Sequence, residues 1–286
     1  MNLSVFVPPL LLLIVFVTGC GTSTSNNKIV SVTIMPQKYF ADKISGGLTE
    51  VNCIVPSGAN PENYDPAPME IIATAKSSAY FKVGNLGFEM ATLSKIAENN
   101  PSMKIFDTSR GIDPLKSHYH PVGDECFDKG EDPHIWVSPK AAKIISHNML
   151  LGFIEIDSVN KNQYIKNYNQ LIAQIDSVDK VVTKKLSKHV GGIFAIFHPS
   201  LSYFARDYGL RQLTLEKNGK ELTAIYFKEA IEAAKASGVE VVYIQKEFNP
   251  SQVETFAAEV GVKIIVIDPL DYNWVDETIK IADAFE

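Results

Sequence analysis

SVNKNQYIKNYNQLIAQIDSVDKVVTKKLSK, residues 158–188, is the longest helical signal in the chain. Apolar side chains recur at Tyr164, Tyr168, Leu171, Ile172, Ile175, Val178, Val182 and Leu186, the spacing that lines one face of an α-helix. No Gly or Pro interrupts it, so nothing in the stretch breaks or kinks the helix. It predicts a single helix of roughly eight turns, ~45 Å long at 1.5 Å per residue. Such an element is a rigid strut and not a flexible linker, so the fold depends on what it joins.

Both flanks alternate strand and helix. Before the strut, IVSVTIM (29–35), VNCIV (51–55), AYFKVG (79–84) and MKIFDTS (103–109) read as buried strands. Helices lie between them: PQKYFADKISGG, stopped by Gly46-Gly47, then PMEIIATAKSS (68–78), then a segment around 88–98. After it, strands GGIFAIF (191–197), VEVVYIQ (239–245) and VKIIVID (262–268) alternate with helices at YFARDYGL, about 221–237, and SQVETFAAEVG (251–261). This rhythm predicts an α/β protein with parallel sheets covered by helices on both faces.

The N-terminus has its own pattern. VFVPPLLLLIVFV (5–17) has signal-peptide length, too short for a comfortable membrane span. It ends in Val17-Thr18-Gly19-Cys20, followed by GTSTSNN, and resembles the lipobox of bacterial lipoproteins. Residues 1–4 carry no Lys or Arg, a departure from the usual charged start; a plain secretory signal ending elsewhere is the alternative. The expected division is a signal peptide (1–19), a tether (20–27) anchored through lipid on Cys20, an N-terminal α/β lobe (28–157), a linking helix (158–189) and a C-terminal α/β lobe (190–286). With Cys20 lipidated, Cys53 and Cys126 remain; they could pair in an exported protein, and Cys53 reads equally well as a buried thiol. A net charge of −6 without a basic run argues against nucleic acid as a partner.

Open parallel sheets bind ligands beyond the carboxyl ends of their strands. Four donors stand there or on the loops those ends lead to. Glu62 lies in PSGANPENYDPAP, His134 in DPHIWVSPKAAK, His198 after GGIFAIF and Asp268 after VKIIVI. Asp132-Pro133 stiffens the approach to His134, and Ser138-Pro139 reads as an N-cap with Pro in the first turn. Each residue alone has an ordinary explanation: a packed core His, a helix-entry His, a solvated Glu, a strand-ending Asp. Together, two imidazoles and two carboxylates, two from each half, form a donor set for zinc or manganese.

Several segments resemble the solute-binding lipoproteins of zinc and manganese ABC importers, the TroA-like fold. They are PSGANPENYDPAP, DPHIWVSPKAAK, FHPSLSYFARDYGL and GVKIIVIDPL, together with IVSVTIMPQKYFADKISGG and VGNLGFE. The resemblance spans about residues 28–286. It implies two parallel-sheet α/β lobes joined by one long backbone helix, with metal held in the inter-lobe cleft and passed to a membrane permease. By position the family's ligands fall on Glu62, His134, His198 and Asp268. Two departures stand out: Glu62 replaces a family His, and the family's Glu-Pro-Gln after the penultimate strand reads Gln245-Lys246-Glu247, which leaves Glu247 as a substitute donor for Asp268. The polar stretch SHYHPVGDECFDKGEDPH (117–134) matches the position of a His- and acid-rich loop in zinc members. Its His118, His120, Asp124, Glu125, Asp128 and Glu131 read as a low-affinity capture segment or as a solvated loop. His147 and His189 read as structural or surface residues.

The expected function is an extracytoplasmic metal receptor and not an enzyme, monomeric, with an ABC permease as partner and zinc favoured over manganese. Four protein donors would close a tetrahedral site, whereas a catalytic metal keeps a position open. The alternatives are a manganese receptor of the same kind, a metal-dependent hydrolase, or an adhesion lipoprotein on the same scaffold.

Overall fold

The structure is a computed structural model that describes Met1 and residues 28–116, 130–217 and 220–286. The expectations for residues 2–27, Cys20 included, and for His118, His120, Asp124, Glu125, Cys126 and Asp128 fall outside the described residues.

Two sheets organise the chain. The first runs β1 (Lys28–Val32), α1 (Met35–Ser45), β2 (Thr49–Cys53), α2 (Pro68–Ala75), β3 (Ala79–Lys82), α3 (Gly87–Asn99) and β4 (Lys104–Asp107). Its strand order is β2-β1-β3-β4, all parallel. A 3-10 turn (Ile135–Val137), α4 (Pro139–Ile156) and a second 3-10 turn (Ser158–Asn160) lead into α5 (Lys161–Leu186). The second half comprises β5 (Ile193–Ile196), α6 (Ser202–Tyr208), β6 (Arg211–Thr214), the hairpin β7 (Glu216–Lys217) and β8 (Lys220–Glu221), α7 (Ala224–Ser237), β9 (Val241–Gln245), α8 (Ser251–Val260), β10 (Lys263–Ile267) and α9 (Trp274–Asp283). Its sheet is ordered β10-β9-β5-β6, again all parallel. Two α/β lobes joined by one long helix are therefore present, as the alternation predicted. The periodicity had no counterpart for β6, the hairpin or α9.

The strut itself is 26 residues long. It buries Tyr164, Leu171, Ile175, Val178, Val182 and Leu186 and half-buries Tyr168 and Ile172, the face read from the sequence. Its first turn departs from the prediction, because residues 158–160 form a separate 3-10 turn. Asp157 fixes that junction: its carboxylate accepts from Asn160 Nδ2 at 2.7 Å and from the Tyr164 hydroxyl at 2.8 Å. At Gly46, which ends α1 with φ +58°, a Cβ would strike the Asn167 side chain of α5. Glycine is needed there both for the left-handed turn and for the close approach.

One hydrophobic cluster runs through both lobes. It joins Val30 and Phe81 of the first sheet to Phe194 and Tyr243 of the second by way of α1, α4, α5 and α9. The C-terminal helix α9 and the turn before it cross back to the other half: Trp274 meets Phe40 of α1 edge to face at 5.2 Å, and the hydroxyl of Tyr272 in the turn donates to Asp42 at 3.0 Å. Among the described residues no helix is long and apolar enough to cross a membrane.

Each sheet reverses its winding once, the first between β1 and β3, the second between β5 and β9. Such a switch point opens a crevice at the strand ends. In the first sheet the chain fills that crevice itself. The buried Glu89 carboxylate accepts from Val83 N at 2.7 Å, Gly84 N at 2.8 Å and the Thr33 hydroxyl. Burial pushes its carboxyl up to about 7 against these hydrogen bonds. In the second sheet the crevice is left for other groups.

Candidate metal centre

His198 follows β5, beside that second crevice. Gln245, the last residue of β9, clamps its backbone: Oε1 accepts from His198 N at 3.3 Å, and Nε2 donates to His198 O at 2.6 Å and to Ser200 Oγ at 2.7 Å. The imidazole stacks on Phe248, with centroids 5.6 Å apart. Its Nδ1 meets Oε1 of the buried Glu216 at 2.9 Å.

His134 comes from the first half, on the loop entering the 3-10 turn. Oδ1 of buried Asp132 accepts from His134 N at 2.8 Å and meets His134 Nδ1 at 2.8 Å. The neighbouring Trp136 ties this loop across the cleft, donating from Nε1 to Pro269 O at 2.8 Å, while Trp274 Nε1 donates to Trp136 O at 2.7 Å. Ser138 caps α4 as the sequence predicted, accepting from Lys140 N and Ala141 N. Burial works against a charged His134, but the Asp132 carboxylate, with Glu62 and Glu216 behind it, outweighs burial and raises the imidazole above its ordinary range. Burial likewise pushes Asp132 up, and its bonds to His134 overcome that and hold it below the usual carboxylate range.

Glu62 arrives on the loop between β2 and α2. Asn60 Oδ1 accepts from Glu62 N at 2.9 Å. The start of α3 presses on the loop so closely that a Cβ on Gly87 would lie 2.9 Å from Glu62 O. The half-exposed carboxylate then faces the two rings. The Nε2 atoms of His134 and His198 are 3.2 Å apart, and Glu62 Oε1 lies 3.6 Å from the first and 3.7 Å from the second. Among the described residues this trio is the group of His, Cys, Asp and Glu whose donor atoms approach closely enough to share one ion.

The chemistry of the trio follows from its outer partners. Asp132 and Glu216 each sit against an Nδ1, so each imidazole is set to carry its proton there. The Nε2 lone pairs and the Glu62 oxygen then point at one another. Three acceptors at such distances repel unless a proton or a cation lies between them. Metal–ligand bonds of ~2.0–2.1 Å at tetrahedral angles place donors about 3.3 Å apart. The observed separations of 3.2, 3.6 and 3.7 Å fit that geometry with small adjustment.

Asp268 stands apart from the trio. Its amide donates to Glu277 Oε1 at 2.6 Å, and its Oδ1 accepts from Leu270 N at 3.2 Å. Oδ2, shielded from solvent, lies against the Lys246 ammonium and takes no directional hydrogen bond. Glu247 lines the hollow that His134, Trp136 and His198 also line. Burial raises the Glu247 carboxyl above its usual range, and Asp268 adds to the effect. Glu131 lies at the edge of the described loop, bridged to Lys116 and bonded by Asn85. His147 is exposed against Tyr168, and His189 pairs with Glu240 at 2.7 Å. Cys53 is a free thiol whose burial pushes it up to about 12. Sequence reasoning gave Asp132 only a backbone-stiffening part beside Pro133 and gave Glu216 none. Asp132, two residues before a His, could have been read as its partner; Glu216, eighteen residues after His198, carries no local signal.

The family model for ZnuA, the periplasmic component A of a zinc-uptake complex, matches residues 30–278. A relative in Bacillus subtilis, the high-affinity zinc uptake system protein ZnuA, is 25% identical over 271 residues, covering 89% of this chain and 85% of its own. The iron ABC transporter substrate-binding lipoprotein MtsA of Streptococcus pyogenes is 25% identical over 276 residues, covering 92% and 86%. A crystal structure of ZnuA superimposes with a TM-score of 0.82 at 33% identity, covering 90% of this chain and 97% of that one.

Proposed function

This chain belongs to the ZnuA family of periplasmic zinc-uptake components, and from that premise we propose that it is the metal receptor of an ABC importer. It captures a divalent ion outside the cytoplasm and hands it to a membrane permease. The observation that carries the proposal is the convergence of Nε2 of His134, Nε2 of His198 and Oε1 of Glu62 within 3.7 Å of one another, with both Nδ1 atoms backed by buried carboxylates. That arrangement supplies deprotonated donors, as metal binding requires. Asp268 is the fourth ligand in this proposal, reaching the ion from the second lobe. The lobes are residues 28–157 and 190–286, with 158–189 between them. A lipid on Cys20 holds the protein at the membrane surface, and the monomer is the working unit.

Zinc is the favoured ion. Two imidazoles and close tetrahedral spacing suit it, and this donor set holds zinc more tightly than manganese by the Irving–Williams order. The relatives are named for zinc and for iron, so kinship alone does not choose the ion. Metal analysis of protein purified without added metal, followed by competition titration, makes the choice. Manganese displacing zinc at equal concentration would reverse it.

The ligand assignment has its own test. His134→Ala or His198→Ala abolishes tight binding, whereas His147→Ala leaves it intact; equal loss in all three would count against the site. A receptor that closes on its ion turns nothing over, so zinc-dependent hydrolysis of ester or phosphate substrates that collapses in His198→Ala would favour an enzyme instead.

A further inference from the structure

Lys246 follows β9 directly, and its amide donates to Ile267 O at 3.1 Å. That bond carries the β9–β10 ladder one residue past the end of β9 and sets side chains 246 and 268 side by side at the strand ends. The ammonium lies against Asp268 Oδ2. The other carboxylate oxygen is occupied by the turn amide of Leu270. Asp268 is thus held by a cation and by its own turn, outside the trio of Glu62, His134 and His198. A cation paired with the proposed fourth donor of a divalent ion acts twice. It repels the incoming charge, and it keeps a carboxylate from that charge.

We propose that Lys246 is an internal competitor for the transported ion. Its ammonium holds Asp268 in the metal-free protein, and the ion completes its coordination by taking Asp268 away from it. The Lys246 side chain is 41% exposed and Asp268 is 10% exposed, so the lysine has water to swing into when it gives up its partner. On release the exchange reverses, and the returning ammonium replaces the departing charge. Lys246 therefore tunes affinity and release rate without touching the ion. This inference rests on the proposed receptor function and on Asp268 as the fourth donor.

The test is a zinc competition titration against a chromophoric chelator, with chelator-driven dissociation followed by stopped flow. It uses the full chain as wild type, Lys246→Gln, Lys246→Met, Asp268→Asn and the Lys246→Gln/Asp268→Asn double variant. Lys246→Gln and Lys246→Met are expected to tighten zinc binding roughly ten- to a hundredfold and to slow release. Asp268→Asn weakens binding, and in its background Lys246→Gln changes little. Unchanged or weaker binding in both lysine variants would mean that the ion pair only orients Asp268, and the inference fails. An equal gain in the Asp268→Asn background would mean general repulsion with no competition for the carboxylate, and it fails again. Wild-type protein that binds neither zinc nor manganese would remove the receptor function itself, a result distinct from either failure.

Discussion

Two carboxylates that never reach the ion decide how His134 and His198 behave. Asp132 and Glu216 fix the protons on Nδ1 and so expose Nε2. Replacing Glu216 by Gln keeps the volume but weakens the anchor on His198, and zinc affinity is expected to drop about 10- to 100-fold in a competition titration. The same logic sets the pH response. His134 is raised above its ordinary range by the acids around it, so a proton competes with metal for Nε2 already above pH ~6.5. As pH falls through that range, affinity is expected to weaken by about tenfold per unit for one competing proton. In the metal-free protein the sign is opposite. A His with a raised folded value stabilises the fold fully below its unfolded pKa, and that stability is lost as pH rises through the folded one. Titrations between pH 5.5 and 8, in buffers of different ionisation enthalpy, read both the affinity and the proton released. An affinity flat across that window would contradict the arrangement of protons.

At the scale of elements, the two switch crevices are used differently. In the second sheet the crevice presents His198 and Glu247, carried at the ends of β5 and β9. In the first, α3 inserts Glu89 between the ends of β1 and β3, and the chain becomes its own ligand. A folded value of about 7 against an ordinary 4.5 means that ionised Glu89 is disfavoured in the fold. Its contribution to stability is therefore fully present below pH ~4.5 and is lost as pH rises through ~7, roughly 3 kcal/mol in all. Glu89→Gln should escape that loss. Thermal unfolding is expected to show the variant gaining on wild type steadily from pH 4.5 to 7.5; a constant difference across the range would rule the explanation out. The strut illustrates a second point about elements. Its apolar stripe is packed by α1, α4 and α9, so it lies within the one core that runs through both lobes.

For the whole molecule, coupling between the lobes limits motion. One core cluster passes through both halves, the Trp136 and Trp274 indoles bond across the cleft, and Tyr203 of α6 bonds both the Leu115 amide and the Asp132 carbonyl on the other half. Closure on metal is therefore expected to be a small shift and not a hinge rotation of the kind seen with flexible linkers. Solution scattering should show nearly the same radius of gyration with and without zinc, while the unfolding temperature rises with zinc concentration through linkage. A large change in dimensions would overturn the rigid-strut picture.

Periodicity alone determined the strut, most of the strands and the α/β class, because helix and strand faces are written into local spacing of apolar residues. The candidates Glu62, His134, His198 and Asp268 were also legible, since each follows a strand or sits in a stiff loop; the structure brings the first three together and leaves Asp268 apart. Other features carried no such signal. β6 reads RQLT, an edge strand in which only Leu213 is apolar, so no apolar run marks it; α9 went unread although it is as long as α8. The pairing of Glu216 with His198, the plug at Glu89 and the capture of Asp268 by Lys246 all join residues that become neighbours only when parallel strands align their carboxyl ends. Local sequence fixes which side chains a strand end offers; the packing of the two sheets against one shared core decides which of them face each other, and so whether a carboxylate meets an imidazole, an amide or an ammonium.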